Sequence, residues 1–188
     1  MTKLSLGSAT LDDLAHLATL ASRNMVQGPW DGAMEPSDEV TRVQLQYLTA
    51  KLARARPTTL NEATLWSRAV YPLLEGVLAG VPGQPFLLVM EAKRGMGATD
   101  PRPALLAALL AVVWTKLGQP PQEGPVEVFG CFTVADLWTF VRAEAEVRAQ
   151  GLAPRLALTL SWSREYAERT EADAILQALR WIARRFTP

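Results

Sequence analysis

Phe86-Leu87-Leu88-Val89-Met90 is apolar at every position. A strand sends alternate side chains to opposite faces, so a strand apolar on both alternating sets must be covered on both. The segment therefore predicts a central strand of a sheet with other layers on each side. It ends abruptly in Glu91-Ala92-Lys93-Arg94-Gly95. Glu91 and Lys93 are two residues apart and in extended backbone project to one face, where charge is costly unless it is used. The polar end of an apolar strand is the first candidate for a site.

The surrounding sequence supplies the other layers. At 188 residues the chain has length for one domain with a substantial core. Helical spacing and breakers predict helices over residues 10–24 and 37–55, separated by Gly28-Pro29-Trp30-Asp31-Gly32. A helix over 62–74 follows, weakened at its end by Pro72. Segments 76–79 and 85–90 flank Val81-Pro82-Gly83-Gln84 and read as a hairpin. Residues 103–117 predict a buried helix, and 126–133, 137–142 and 155–162 predict strands, with a turn at 134–136. The Ala-Glu-Arg-rich stretch 143–151 reads as a helical insert. A last helix starts near Thr170-Glu171-Ala172-Asp173 and carries Ile175, Leu176, Leu179 and Ile182 inward. The organisation expected is an N-terminal helical extension, residues 1–57, on an α/β domain, residues 58–188.

Composition narrows the chemistry. Apolar residues make up 49% and charged residues 20%, which suits a globular fold. Nineteen basic residues balance nineteen acidic ones, so overall charge names no partner. The single cysteine, Cys131, excludes an intramolecular disulfide, and with one histidine no Cys/His zinc site assembles. His16 falls in a helical pattern and reads as an ordinary helix residue rather than a catalytic base. No apolar run reaches the roughly 20 residues needed to cross a bilayer, and Met1 to Ser8 lacks the apolar core of a secretion signal. A cytoplasmic protein is expected. Chemistry must rest on carboxylates, lysine, arginine and a bound ion.

Folding the hairpin about Gly83 places Glu75 opposite Glu91, with Cβ atoms about 4.5 to 5.5 Å apart. Two carboxylates that close repel unless a cation lies between them, and oxygen ligands suit Mg²⁺ or Mn²⁺. Lys93 alongside would orient a water or stabilise a phosphate in flight. Glu75 has a second reading, as a helix end capped by Gly76.

Glu75-Gly76-Val77-Leu78 followed by Phe86-Leu87-Leu88-Val89-Met90-Glu91-Ala92-Lys93 resembles the signature of the PD-(D/E)xK nuclease superfamily. Element order is similar too, and the resemblance spans about residues 60 to 165. It implies a restriction-endonuclease-like αβββαβ core, a central mixed sheet flanked by helices. It also implies metal-dependent phosphodiester hydrolysis of nucleic acid, with Glu75 and Glu91 as metal ligands and Lys93 as the catalytic lysine. Glu62, in Asn61-Glu62 of the leading helix, is similar to the acidic residue some members carry there. The chain departs from the pattern in having Glu75 where Asp is usual, no Pro-Asp before the hairpin, and no room for a strand before Glu75.

Arg94, Arg102 and Arg142 are the candidates for phosphate contacts, DNA ahead of RNA. Trp66, Trp114 and Trp162 lie on core-forming elements, leaving Trp30 as the exposed candidate for base stacking. Two rivals stand beside the nuclease. One is a non-catalytic domain of the same fold that binds nucleic acid or protein, and the other is an enzyme whose partner chain supplies DNA recognition. A homodimer would suit cleavage of both strands of a symmetric site.

Overall fold

The structure is a computed structural model. It describes residues 10–25, 27–31, 37–54, 73, 88–93, 100–117, 125–150 and 153–185, with 52, 88–93, 149, 150, 153 and 154 as backbone. Among these residues the chain runs α1 (Leu11–Leu17), β1 (Ala18–Asn24), α2 (Glu39–Arg54), β2 (Leu88–Lys93), α3 (Arg102–Leu117), β3 (Val126–Val134), β4 (Leu137–Gln150), β5 (Ala153–Ala167) and α4 (Glu168–Arg185). The strands form one mixed sheet in the order β1-β5-β4-β3-β2. The two outer pairs, β1 with β5 and β2 with β3, are parallel, and the inner pairs are antiparallel.

Helices cover both faces, as the α/β reading requires. On one face α4 presents Ile175, Leu176, Leu179 and Ile182 to Phe129, Cys131, Trp138, Phe140 and Tyr166. Leu45 and Leu48 of α2 close the same cluster. On the other face Leu105, Leu109, Leu110 and Val113 of α3 pack with Val128, Val141, Ala143, Leu158 and Leu160, joined by Leu14 of α1. The register between β4 and β5 shifts between Thr139 and Val141. Three residues of β5 span what two of β4 do there, so Tyr166 lies on the α4 face while Trp162 stays in the α3 cluster. Ser163 Oγ accepts from the Phe140 backbone N–H at 2.9 Å, satisfying a donor at the irregularity.

Several sequence expectations need correction. The helix expected over 10–24 stops at Leu17. Thr10 and Asp13 form the capping box that starts it, but Ala18 is already extended, and 18–24 become β1 against β5. Thr19, Ser22 and Asn24 are poor helix formers, and the parallel partner supplies the hydrogen bonds that further helical turns would have made. The N-terminal segment is thus more than helical, because β1 belongs to the main sheet. The helical insert expected over 143–151 is instead the continuation of β4 to Gln150. Ala143 and Ala145 are buried whereas Glu144 and Glu146 are more open, a period of two that outweighs the helix preference of Ala, Glu and Arg. α4 begins at Glu168, earlier than expected, with non-helical geometry at Glu171 before the regular turns.

Trp30 is also corrected. It is 1% exposed, wedged between Phe129, Phe140 and Trp181, and its indole N–H donates to Tyr166 Oη at 3.1 Å. Trp114 is 54% exposed, so it is no core residue. Of the expected helix over 62–74, Leu73 alone is described: it is helical and buried. Trp66 and the first hairpin segment lie outside the described residues.

Candidate active site

β2 forms where the apolar run ends, and Glu91 and Lys93 occupy its fourth and last positions. In the parallel pairing Glu91 is level with Phe132, Ala92 with Thr133 and Lys93 with Val134. The chain then crosses through α3 back to β3. Lys116, near the end of α3, donates to the Glu127 carbonyl at the start of β3, so α3 runs back along the strands. Its first turn therefore lies at the end where β2 and β3 finish. Clefts at the carboxyl ends of strands are where open α/β sheets bind ligands.

Arg102 opens α3 at this end. Asp100 accepts from its backbone N–H and from both Nε and Nη2, the last at 2.7 Å. These hydrogen bonds hold the Asp100 carboxyl below the usual range and raise the Arg102 guanidinium. Arg142 lies elsewhere. It is level with Phe129 and so with Leu88, five positions from Lys93, or about 17 Å along the strands. There it pairs with Glu127 and Glu144, and Arg185 of α4 also reaches Glu127. Burial pushes the Glu127 carboxyl up, but the hydrogen bonds from Arg185 and Arg142 outweigh it and leave it lowered. Glu62, Glu75 and Arg94 lie outside the described residues.

A buried acidic pair that sequence reasoning missed adjoins the end of β2. Lys93 is level with Val134, the residue before the two-residue turn Ala135–Asp136. Ala135 has φ 56°, the left-handed region, which costs about 1–2 kcal/mol for a residue with a Cβ. The Asp136 carbonyl accepts from the Glu168 backbone N–H at 2.8 Å, clamping the turn to the start of α4. The Asp136 carboxylate pairs with Arg169. Glu168 is fully buried; one carboxyl oxygen accepts from the Trp138 indole at 2.8 Å and the other has no partner among the described residues. Thr133 Oγ1, on the residue directly opposite Trp138, is likewise buried, with no hydrogen-bond partner among the described residues. Burial raises the Glu168 carboxyl to about 7, helped by the nearby Asp136 charge and opposed by the Trp138 hydrogen bond. Nothing in the sequence signals this pair, since Glu168 lies before the helix start expected near Thr170 and far from Asp136 along the chain.

Among the described residues no group of three His, Cys, Asp or Glu side chains is placed to hold a metal ion. No described helix is long and apolar enough to cross a membrane. Cys131 is buried in β3, and burial pushes its thiol far up, so it is no nucleophile. Compared with family models, curated proteins and solved structures, the chain matches none.

Proposed function

We propose that the protein is a metal-dependent phosphodiesterase acting on nucleic acid, with its site at the carboxyl end of β2. The observation that carries this reading is the position of Glu91 and Lys93 at the end of a strand that crosses through a helix to a parallel neighbour. A carboxylate such as Glu91 suits a hard divalent cation, which takes few protein oxygens when substrate phosphates supply others. Glu91, with Glu75, would hold Mg²⁺ or Mn²⁺. When bound, the ion supplies Lewis-acid polarisation of the phosphate and acidifies a water. Lys93 stabilises the negative charge that develops on the phosphoryl oxygens or orients the attacking water. Glu62 serves as an auxiliary ligand or orienting base, and Arg94 and Arg102 meet flanking phosphates. For Arg102 this means exchanging Asp100 for the substrate.

One observation favours a second reading, a binding module of this fold without catalysis. Arg102 and Arg142 are each neutralised within the chain, which weakens the electrostatic pull on nucleic acid. Nicking of supercoiled plasmid in Mg²⁺, Mn²⁺ or EDTA separates the two. The nuclease reading expects metal-dependent nicking that falls roughly a hundredfold or more in folded Glu91→Gln and Lys93→Met variants. No cleavage of plasmid, single-stranded DNA or RNA, together with no Mn²⁺ binding, would leave the binding module.

A further inference from the structure

We infer that β1 is a dimerisation edge, which pairs antiparallel with β1 of a second copy about a two-fold axis at Ala21. β1 is the last strand of the sheet, and among the described residues it pairs with β5 alone. Ala21, Ser22, Arg23 and Asn24 are all exposed. Ala18 is buried and Leu20 half-buried, so the open stretch is Ala21 to Asn24 with Thr19 before it. An edge open among the described residues invites another strand, and proteins that stay monomeric blunt such edges with proline, bulges or outward charge. β1 has no proline and a single charge, Arg23. That guanidinium reaches back over its own sheet, donating to Ser161 Oγ at 2.9 Å and lying 3.9 Å from Glu144. Among the described residues nothing guards the edge.

The strand is self-complementary about Ala21. Antiparallel pairing sets Ala21 against itself, Leu20 against Ser22, Thr19 against Arg23 and Ala18 against Asn24. Ala18 and Leu20 pack with the α3-face cluster, and Ser22 Oγ accepts from Trp162 of that cluster, so each pair keeps to one face. Leu20 then meets Leu20 of the second copy diagonally, within side-chain reach. No like charges oppose each other. Parallel pairing would set Arg23 beside Arg23, whereas antiparallel pairing carries Arg23 toward the end of the second copy that follows the acidic first turn of α1, Asp12 and Asp13. A stable dimer buries roughly 1,200–2,000 Å², more than seven paired residues provide. Leu11 and Leu17 of α1, 46% and 43% exposed, supply apolar surface beside the junction.

The test is sedimentation velocity of the full chain over a concentration series, beside Ala21→Lys and Ala21→Cys variants. We expect a wild-type dimer whose dissociation constant rises at least tenfold in Ala21→Lys, with the far-ultraviolet spectrum unchanged. Mild oxidation of Ala21→Cys should give a covalent dimer, because cross-strand neighbours at the axis fall within disulfide reach and Cys131 stays in the core. A monomer at every concentration overturns the proposal, as does a dimer that Ala21→Cys fails to link. The cross-link decides if Ala21→Lys does not fold.

Discussion

Glu168 is a carboxylic acid held out of water against the edge of Trp138, and its ionisation is linked to folding. In the unfolded chain it ionises near 4.5; in the fold, near 7. Below about pH 4.5 both states hold the proton and Glu168 exacts no cost. As pH rises toward 7 the unfolded chain sheds its proton first, so stability falls, by about 3 kcal/mol once both are ionised. Glu168→Gln keeps the shape without the charge. It should leave stability near pH 4.5 little changed and raise it by up to about 3 kcal/mol at pH 8, measured by urea unfolding across pH. Parallel pH profiles for the two proteins would dismiss this account. The neighbouring Ala135 offers a second check at the same turn. Ala135→Val puts a β-branched side chain at positive φ and should cost more than about 1 kcal/mol in the same assay. The turn holding Ala135 was legible in the sequence, but its left-handed backbone and the burial of Glu168, which depends on that turn 32 positions earlier closing over it, were not.

Among the elements, those written in apolar pattern were legible and those written in small or charged residues were not. α3 occupies Arg102–Leu117 where the sequence predicts 103–117, and β3 with its turn falls within a residue of expectation. β1 and the second half of β4 carry their message in alanine, serine and arginine, whose local preferences oppose the structure. In β4 the alternation was present, small residue in and charge out, but helix propensity hid it. The strand assignment has a sharp consequence for neighbouring positions. Ala145→Glu would drive a charge into the α3-face core and should cost at least about 3 kcal/mol or unfold the protein. Glu146→Ala, one residue on and exposed, should change stability by less than about 0.5 kcal/mol. A helix over 143–151 would turn Ala143 and Ala145 to nearly opposite sides and could not bury both. The β2 end is the part of the candidate site that the sequence marks most clearly, by charge after five apolar residues; its companions Glu62 and Glu75 rest on the sequence pattern alone.

At the scale of the molecule, helices layer both faces of a mixed sheet, as the sequence implied. The doubly apolar run expected at the centre of that sheet is corrected: among the described residues it forms β2, the last strand in the order, paired with β3. How the N-terminal segment joins that body was hidden. Trp30 inserts among Phe129, Phe140 and Trp181, and Tyr166 donates in turn to Asp31, so residues 28–31 are fastened to the α4 layer. Trp30→Ala should therefore cost about 3–5 kcal/mol, read from the shift of the urea transition. A loss under 1 kcal/mol would mean that the segment is not fastened there. The parallel pairing of β1 with β5 matters for how the chain is made as well. Ala18 lies beside Leu156, and Asn24 beside Trp162, so β1 must wait for a partner far later in the chain. Contacts that distant in sequence close late and slow folding. Until translation has passed residue 162, β1 lacks the β5 partner it has among the described residues, and an unpaired strand is open to pairing wrongly.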